Sequence, residues 1–237
     1  SDSVGLLPGL SEREALFCIN YCLVTHSMVE IAGKLSESKD EKRLKILKKA
    51  VCCPNNGQDV YFIGFDYRGV GRRIPQIMYF KTPHFSLSEN SGFMPQRTVG
   101  FFNTDEEEKE FKVLFFDMEL SGEKYIVTDV WSGESFEACG GFSAVCAPHE
   151  SKLFAVSNIK GVQLLDANVK VLSVSEESGF AEIELDYDVK NAELLFSHTP
   201  IGAEQNGAAL DFSANGGRLA LSFVKSGRLK VYFAEEK

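Results

Sequence analysis

Residues Glu123 to Ser157 read EKYIVTDVWSGESFEACGGFSAVCAPHESKLFAVS. Tyr125 to Trp131 is rich in β-branched and aromatic residues, as a strand requires. Trp131-Ser132-Gly133-Glu134 makes a turn, two short strands follow, and Pro148-His149 forms a corner into the apolar strand Lys152 to Val156. Upstream, Thr98 to Asn103 (TVGFFN) is a strand that stops at Phe-Asn before the acidic turn Asp105-Glu106-Glu107-Glu108.

The same grammar runs outward from Asp59 to the end. Ala181, Ile183, Leu185 and Tyr187 alternate with Glu182, Glu184, Asp186 and Asp188, which describes an antiparallel strand with one face in a core and one in water. Leu219, Leu221 and Phe223 precede Lys225-Ser226-Gly227, then Leu229, Val231 and Phe233, a pattern that predicts a terminal β-hairpin. Further strands are expected at Val60 to Tyr67, Ile77 to Phe80, Glu110 to Phe116, Val169 to Val174 and Ala192 to His198. Lys81 to Gln96, with its Pro, Ser and Asn, reads as a long loop. Many short strands with polar turns predict a mainly β fold, an antiparallel β-sandwich of Greek-key-like type.

The first fifty residues obey a different period. Ser11 with Glu14 forms a capping box, and Ala15 to Val24 continues as a nearly all-apolar helix interrupted only by Asn20. Such a helix must be buried on most sides. Ser38 and Glu41 signal a second helix with Leu44, Leu47 and Val51 on one face and Lys42, Lys45, Lys48 and Lys49 towards solvent. Pro54-Asn55-Asn56-Gly57 ends it. The expected division is therefore a helical segment, residues 1–56, followed by a sandwich domain, residues 57–237.

Composition narrows the function. With 237 residues, 44% hydrophobic and 11% aromatic, the chain supports a substantial core, and its net charge of −9 repels a phosphate backbone. Nucleic acid is excluded as a partner, whereas neutral ligands such as sugars are compatible. The longest apolar window, Ala15 to Val24, is too short to span a bilayer, and no basic-then-apolar leader is visible, so neither a membrane partner nor a signal peptide is read. The six cysteines include vicinal Cys52 and Cys53, and Cys18 and Cys22 one helical turn apart, which favours reduced thiols and with them a cytoplasmic location. Their spacing is not that of a zinc site. No cofactor and no metal are expected.

The quoted stretch resembles the sandwich that follows the catalytic barrel in melibiase-type α-galactosidases and related glycoside hydrolases. Asp129, Val130, Trp131, Gly133, Pro148, His149, Leu153 and Phe154 carry the likeness, together with Thr98 to Asn103. Residues 11 to 56 resemble the end of a (β/α)8 barrel: Ala15 to Leu35 corresponds to a helix and strand, Lys39 to Ala50 to the next helix, and Val51 to Asn55 to the next strand. Lys34 stands where the family usually has Asp, so no sugar contact is carried to it. The resemblance implies a non-catalytic accessory domain whose partner is the catalytic barrel of the same polypeptide. The family's two catalytic aspartates, facing each other about 5 Å apart in retaining enzymes, belong to upstream barrel strands. Short parallel strands without neighbours leave backbone groups unpaired, so residues 1–56 are expected to repack as helices on the sandwich or on a second copy of the chain.

No catalytic residue is assigned. Asp117, Glu119, Asp129 and Glu134 are carboxylates on turns, more simply solvated or engaged in Asx-turns than catalytic. Cys139 or Cys146 with His149 lacks an oxyanion-hole turn. Gly69-Val70-Gly71 beside Arg68, Arg72 and Arg73 lacks the context of a phosphate loop. The ligand-binding candidates are Trp131 and Tyr67, because a pyranose packs its C–H groups on an aromatic face. The alternative function is a free-standing carbohydrate-binding or adhesion module, with carbohydrate as its ligand. Homo-oligomerisation is a further option. An exposed apolar patch over residues 15 to 31 would mark the barrel reading, and an aromatic platform near Trp131 or Tyr67 the binding module.

Overall fold

The computed structural model describes residues 3–4, 10–27, 30–31, 41–52, 59–64, 74–81, 97–159, 161–177 and 179–234. Tyr67, Lys34, Ser38, His84, Gly69-Val70-Gly71 and the loop 82–96 lie outside them.

The chain starts with β1 (Ser3–Val4), α1 (Glu12–Val24), β2 (Glu30–Ile31) and α2 (Glu41–Cys52), β1 and β2 pairing in parallel. The expected capping box is present: Glu14 N–H donates to Ser11 Oγ at 3.2 Å, and Ser11 N–H donates to Glu14 Oε2 at 2.8 Å. Ser11 Oγ also donates to Glu14 Oε2 at 2.8 Å, and this bond, together with that from Ser11 N–H, holds the Glu14 carboxyl below its ordinary pKa. Residues 51 and 52, expected to open a strand, are helical instead.

Then come β3 (Val60–Phe62), β4 (Ile77–Lys81), β5 (Arg97–Phe102), β6 (Lys109–Leu114), β7 (Lys124–Asp129), β8 (Ser135–Cys139), β9 (Gly141–Cys146) and β10 (Ser151–Asn158). One antiparallel sheet has the order β3-β4-β5-β10-β7-β8, and β6 pairs with β9 in a ribbon. Neighbours that are not consecutive in sequence, such as β5 and β10, give the Greek-key character.

Both faces of the six-stranded sheet are covered, which explains why TVGFFN reads as an uninterrupted apolar run. On one face Val99, Phe101, Val127, Phe154 and Val156 pack with Phe111, Val113 and Phe142 of the ribbon. On the other, Met78, Phe80, Phe102 and Leu153 pack with Ile19, Leu23 and Val24 of α1 and Ala50 of α2. The N-terminal helix thus lies on the sandwich, one of the two placements expected for it.

The remaining strands are β11 (Leu164–Ala167), β12 (Val171–Glu177), β13 (Phe180–Leu185), β14 (Val189–Phe196), β15 (Pro200–Gln205), β16 (Ala208–Ala209), β17 (Phe212–Asn215), β18 (Arg218–Val224) and β19 (Gly227–Phe233). They form sheets β11-β14-β18-β17 and β12-β13-β19-β15-β16. Ile183, Leu185, Leu229, Val231 and Phe233 interleave with Leu194, Phe196, Leu219 and Leu221 in a core distinct from the two above.

The predicted terminal hairpin is not formed. β18 pairs with β14 and β17, while β19 pairs with β13 and β15, so the chain changes sheets at Lys225-Ser226. Side chains replace the missing ladder: Lys225 N–H donates to Gln205 Oε1 (2.9 Å), Gln205 Nε2 donates to Lys225 O (2.8 Å), and Ser226 N–H donates to Asp188 Oδ1 (2.8 Å). Polar groups at a corner must find partners, and here side chains supply them.

Candidate functional site

The polar residue that interrupts α1 is its anchor. Asn20 is 0% exposed. Its Nδ2 donates to Ser151 Oγ at the start of β10 (2.9 Å), and its Oδ1 accepts from Trp131 Nε1 (2.8 Å). A buried amide is tolerated when both ends are satisfied, and here the partners come from two separate elements of the sandwich.

Trp131 is held by the turn that follows β7. Asp129 Oδ1 accepts the N–H groups of Trp131 and Ser132, both at 2.8 Å, and Gly133 N–H donates to Asp129 O at 2.8 Å. This is an Asx-turn, so Asp129 serves geometry. Gly133 has φ +73°, and a Cβ there would stand 3.4 Å from Arg218 Nη2 and 3.5 Å from Asp166 Oδ2. The turn thus also abuts β11 and β18.

Asp166 also accepts from Lys49 Nζ of α2 at 2.7 Å, with side chains only 19% and 17% exposed. Lys49 therefore departs from the solvated basic face expected of it. Arg13 Nη1 of α1 donates to Pro148 O at 3.2 Å, fastening the Pro-His corner as well.

Asn103 is a second strut that sequence reasoning marked only as the end of a strand. Fully buried, it donates from Nδ2 to the carbonyls of Glu107 (2.8 Å), Cys146 (3.0 Å) and Ala147 (3.0 Å), and its Oδ1 accepts from Asp105 N–H (3.0 Å). It ties the acidic turn to the end of β9.

Several other candidates are engaged in structure. Glu119 pairs with Lys81 at 2.7 Å, which holds its carboxyl below the ordinary range. His149 has φ 55° and meets Glu106 at 3.2 Å, as a turn residue. Burial pushes the Cys146 thiol up to about 11, which leaves it protonated and unreactive at neutral pH. Cys18, Cys22, Cys139 and Cys146 form no disulfide. Tyr61 stacks on Tyr79 at 5.0 Å, and Tyr79 and Phe80 are buried, so these aromatics pack. Over the described residues 10–27 the large apolar side chains are buried or half-buried, with no exposed apolar patch. Among the described residues no helix is long and apolar enough to cross a membrane, and no cluster of three His, Cys, Asp or Glu groups is placed to hold a metal ion.

Residues 90–156 match the family model of the alpha galactosidase C-terminal beta sandwich domain. That stretch is similar to a melibiase-type C-terminal sandwich. It includes Asn103, Trp131, Pro148 and Ser151. A comparison with curated proteins gave no match.

One solved structure shares the fold over about two thirds of this chain, and others resemble it less closely. A Bacillus halodurans C-125 protein, described as a candidate alpha-N-acetylgalactosaminidase, superposes with a TM-score of 0.50 at 16% identity, covering 64% of this chain and 32% of its own. Alpha-galactosidase I from Mortierella vinacea gives 0.48 at 11% identity, with 66% and 38% covered. The Arthrobacter globiformis T6 isomalto-dextranase complexed with panose gives 0.48 at 13%, with 95% and 46% covered. The chain spans about a third to a half of the length of these proteins.

Proposed function

We infer that this chain is the C-terminal accessory region of an α-galactosidase-like glycoside hydrolase, in which the sandwich packs against the catalytic barrel of the same polypeptide and stabilises it. The observation that carries this reading is the Asn20 bridge to Trp131 and Ser151, because it fastens a helix outside the family match to the melibiase-type sandwich at the sandwich's own signature turn. The order β1-α1-β2-α2 with a parallel β1–β2 pair supports it further. Parallel strands joined through a helix are built for sheets that continue on both sides and are covered by helices. Residues 1–56 are then the end of the barrel and residues 57–237 the accessory part, with no chemistry of their own.

The test uses the protein with its natural upstream sequence. Asn20→Leu should bring forward thermal inactivation of hydrolysis of an aryl α-galactoside, while kcat/KM at low temperature stays unchanged. Unaltered thermal inactivation would contradict the stabilising role. Trp131, the candidate platform of the alternative free-standing binding module, is half-buried against the core beneath α1 and donates its indole N–H to Asn20.

A further inference from the structure

Arg97 opens β5, Lys124 opens β7 and Asn158 closes β10, so the antiparallel order β5-β10-β7 brings all three to one end of the six-stranded sheet. Arg97 alternates onto the same face as Val99 and Phe101, and Tyr125 onto that of Val127, which is the face packed by the ribbon. At this end the strands and the segment 119–123 border a cavity of about 670 Å³, whose lining includes Arg97, Glu119, Glu123, Lys124 and Tyr125. Its volume falls in the range of about 300–1,000 Å³ usual for small-molecule sites.

The walls are tied down by their own hydrogen bonds. The half-buried Arg97 guanidinium donates to the carbonyls of Met118 (Nε, 2.7 Å) and Glu119 (Nη2, 3.2 Å), and the Glu119 carboxylate accepts from Lys81 Nζ at 2.7 Å. Gly122 N–H donates to Tyr125 OH at 2.7 Å, and a Cβ at Gly122 would stand 2.7 Å from that oxygen, so the approach requires glycine. Tyr125 is only 5% exposed, and while its oxygen accepts from Gly122, its phenolic proton has no acceptor among the described residues. A buried hydroxyl donor needs such an acceptor, and a ligand oxygen in the cavity would be one.

The charges of the lining choose the ligand. Arg97 and Lys124 bring two positive charges, and Glu119 and Glu123 two negative ones. An anion would meet two carboxylates and a cation would meet a guanidinium and an ammonium group. Hydroxyls on adjacent carbons donate and accept, so they satisfy both signs without carrying either. Leu120 and Ile159 add apolar contact for the C–H groups of a ring. We propose that this cavity binds a pyranose unit of a neutral sugar, whose hydroxyls donate to Glu119 and Glu123 and accept from Arg97, Lys124 and the Tyr125 phenol. The site goes beyond the accessory role and does not depend on it.

Saturation-transfer NMR and titration calorimetry of the full chain with the methyl pyranosides of galactose, glucose and mannose test it. The chain should bind at least one of the three. Glu123→Gln and Lys124→Ala should each weaken that binding about tenfold, as expected for losing a hydrogen bond to a charged group. Both side chains are exposed, so the variants should keep the wild-type melting temperature. Ser121→Trp, at another exposed position of the lining, should fill the cavity and abolish binding. The uronate and the 2-amino derivative of the bound sugar, which add one charge of either sign, should bind more weakly than the neutral form. Sugar binding is read out separately from thermal inactivation, so this proposal and the accessory reading fail independently. No binding of any of the three glycosides, equal binding by the wild type and all three variants, or a preference for a free amino acid as a zwitterion would overturn the proposal.

Discussion

Trp131 Nε1 donates to Asn20 Oδ1 at 2.8 Å across 111 residues of sequence. The bond joins the helix α1 to the turn at the centre of the family match. Its second arm, from Asn20 Nδ2 to Ser151, reaches the strand that pairs with both β5 and β7. One buried side chain therefore ties the helix to two elements of the sandwich.

Asn20→Leu leaves the Trp131 N–H and the Ser151 hydroxyl without their partner and should destabilise the chain by about 2–3 kcal/mol. Trp131→Phe should act through the same bond. A urea-denaturation double-mutant cycle should return a coupling of about 1 kcal/mol, and strict additivity would show that the two side chains act independently.

Lys49 and Asp166 join α2 to β11 at 2.7 Å with little solvent access. Losing one partner of a fully buried pair is strongly destabilising, but about a fifth of each side chain remains in contact with water, so Asp166→Ala should cost only about 1–2 kcal/mol. Hydrogen exchange should accelerate in β11 and at the end of α2 in that variant. Exchange unchanged at both places would mean that the pair contributes nothing to this junction.

The positions and periods of the elements were legible; their partners were less so. Ala181, Ile183 and Leu185 are buried as their alternation required, and Ser11 with Glu14 starts α1 as the capping box required. The corner at Lys225-Ser226 was misread because two alternating runs around a short Gly-containing turn look alike whether they pair with each other or enter opposite sheets. Gln205 and Asp188, which stabilise the corner, are too distant in sequence for a local pattern to include them. Asn20 and Lys49 were read as an interruption and a solvated charge for the same reason. A helix reveals its own periodicity, not the residue waiting opposite. Of the two ligand candidates, Trp131 is placed in the Asn20 bridge, and Tyr67 lies outside the described residues.

Gly100 sits where α1 approaches β5. A Cβ there would lie 2.6 Å from Phe102 Cε2 and 3.0 Å from Val24 Cγ2. Gly100→Ala should therefore overpack the helix–sheet contact and lower stability by about 1–3 kcal/mol, read from the thermal midpoint. An unchanged or higher midpoint would show that α1 can shift at no cost.

Cys146 supplies a pH prediction. Its thiol is raised from 9.0 to about 11 by burial, so the folded chain retains a proton that the unfolded chain releases. The associated stability is fully present below about pH 9 and is lost as pH rises towards about 11. A thiol reagent at pH 8 should label exposed Cys139 and spare Cys146 until the chain is unfolded. Rapid labelling of Cys146 in the folded protein would contradict its burial.

The accessory role is tested most directly by the natural reading frame upstream of Ser1. The account predicts a (β/α)8 region there, a few hundred residues long, with aspartates at two strand ends and continuous with β1-α1-β2-α2. A start codon within a few residues of Ser1 would contradict it.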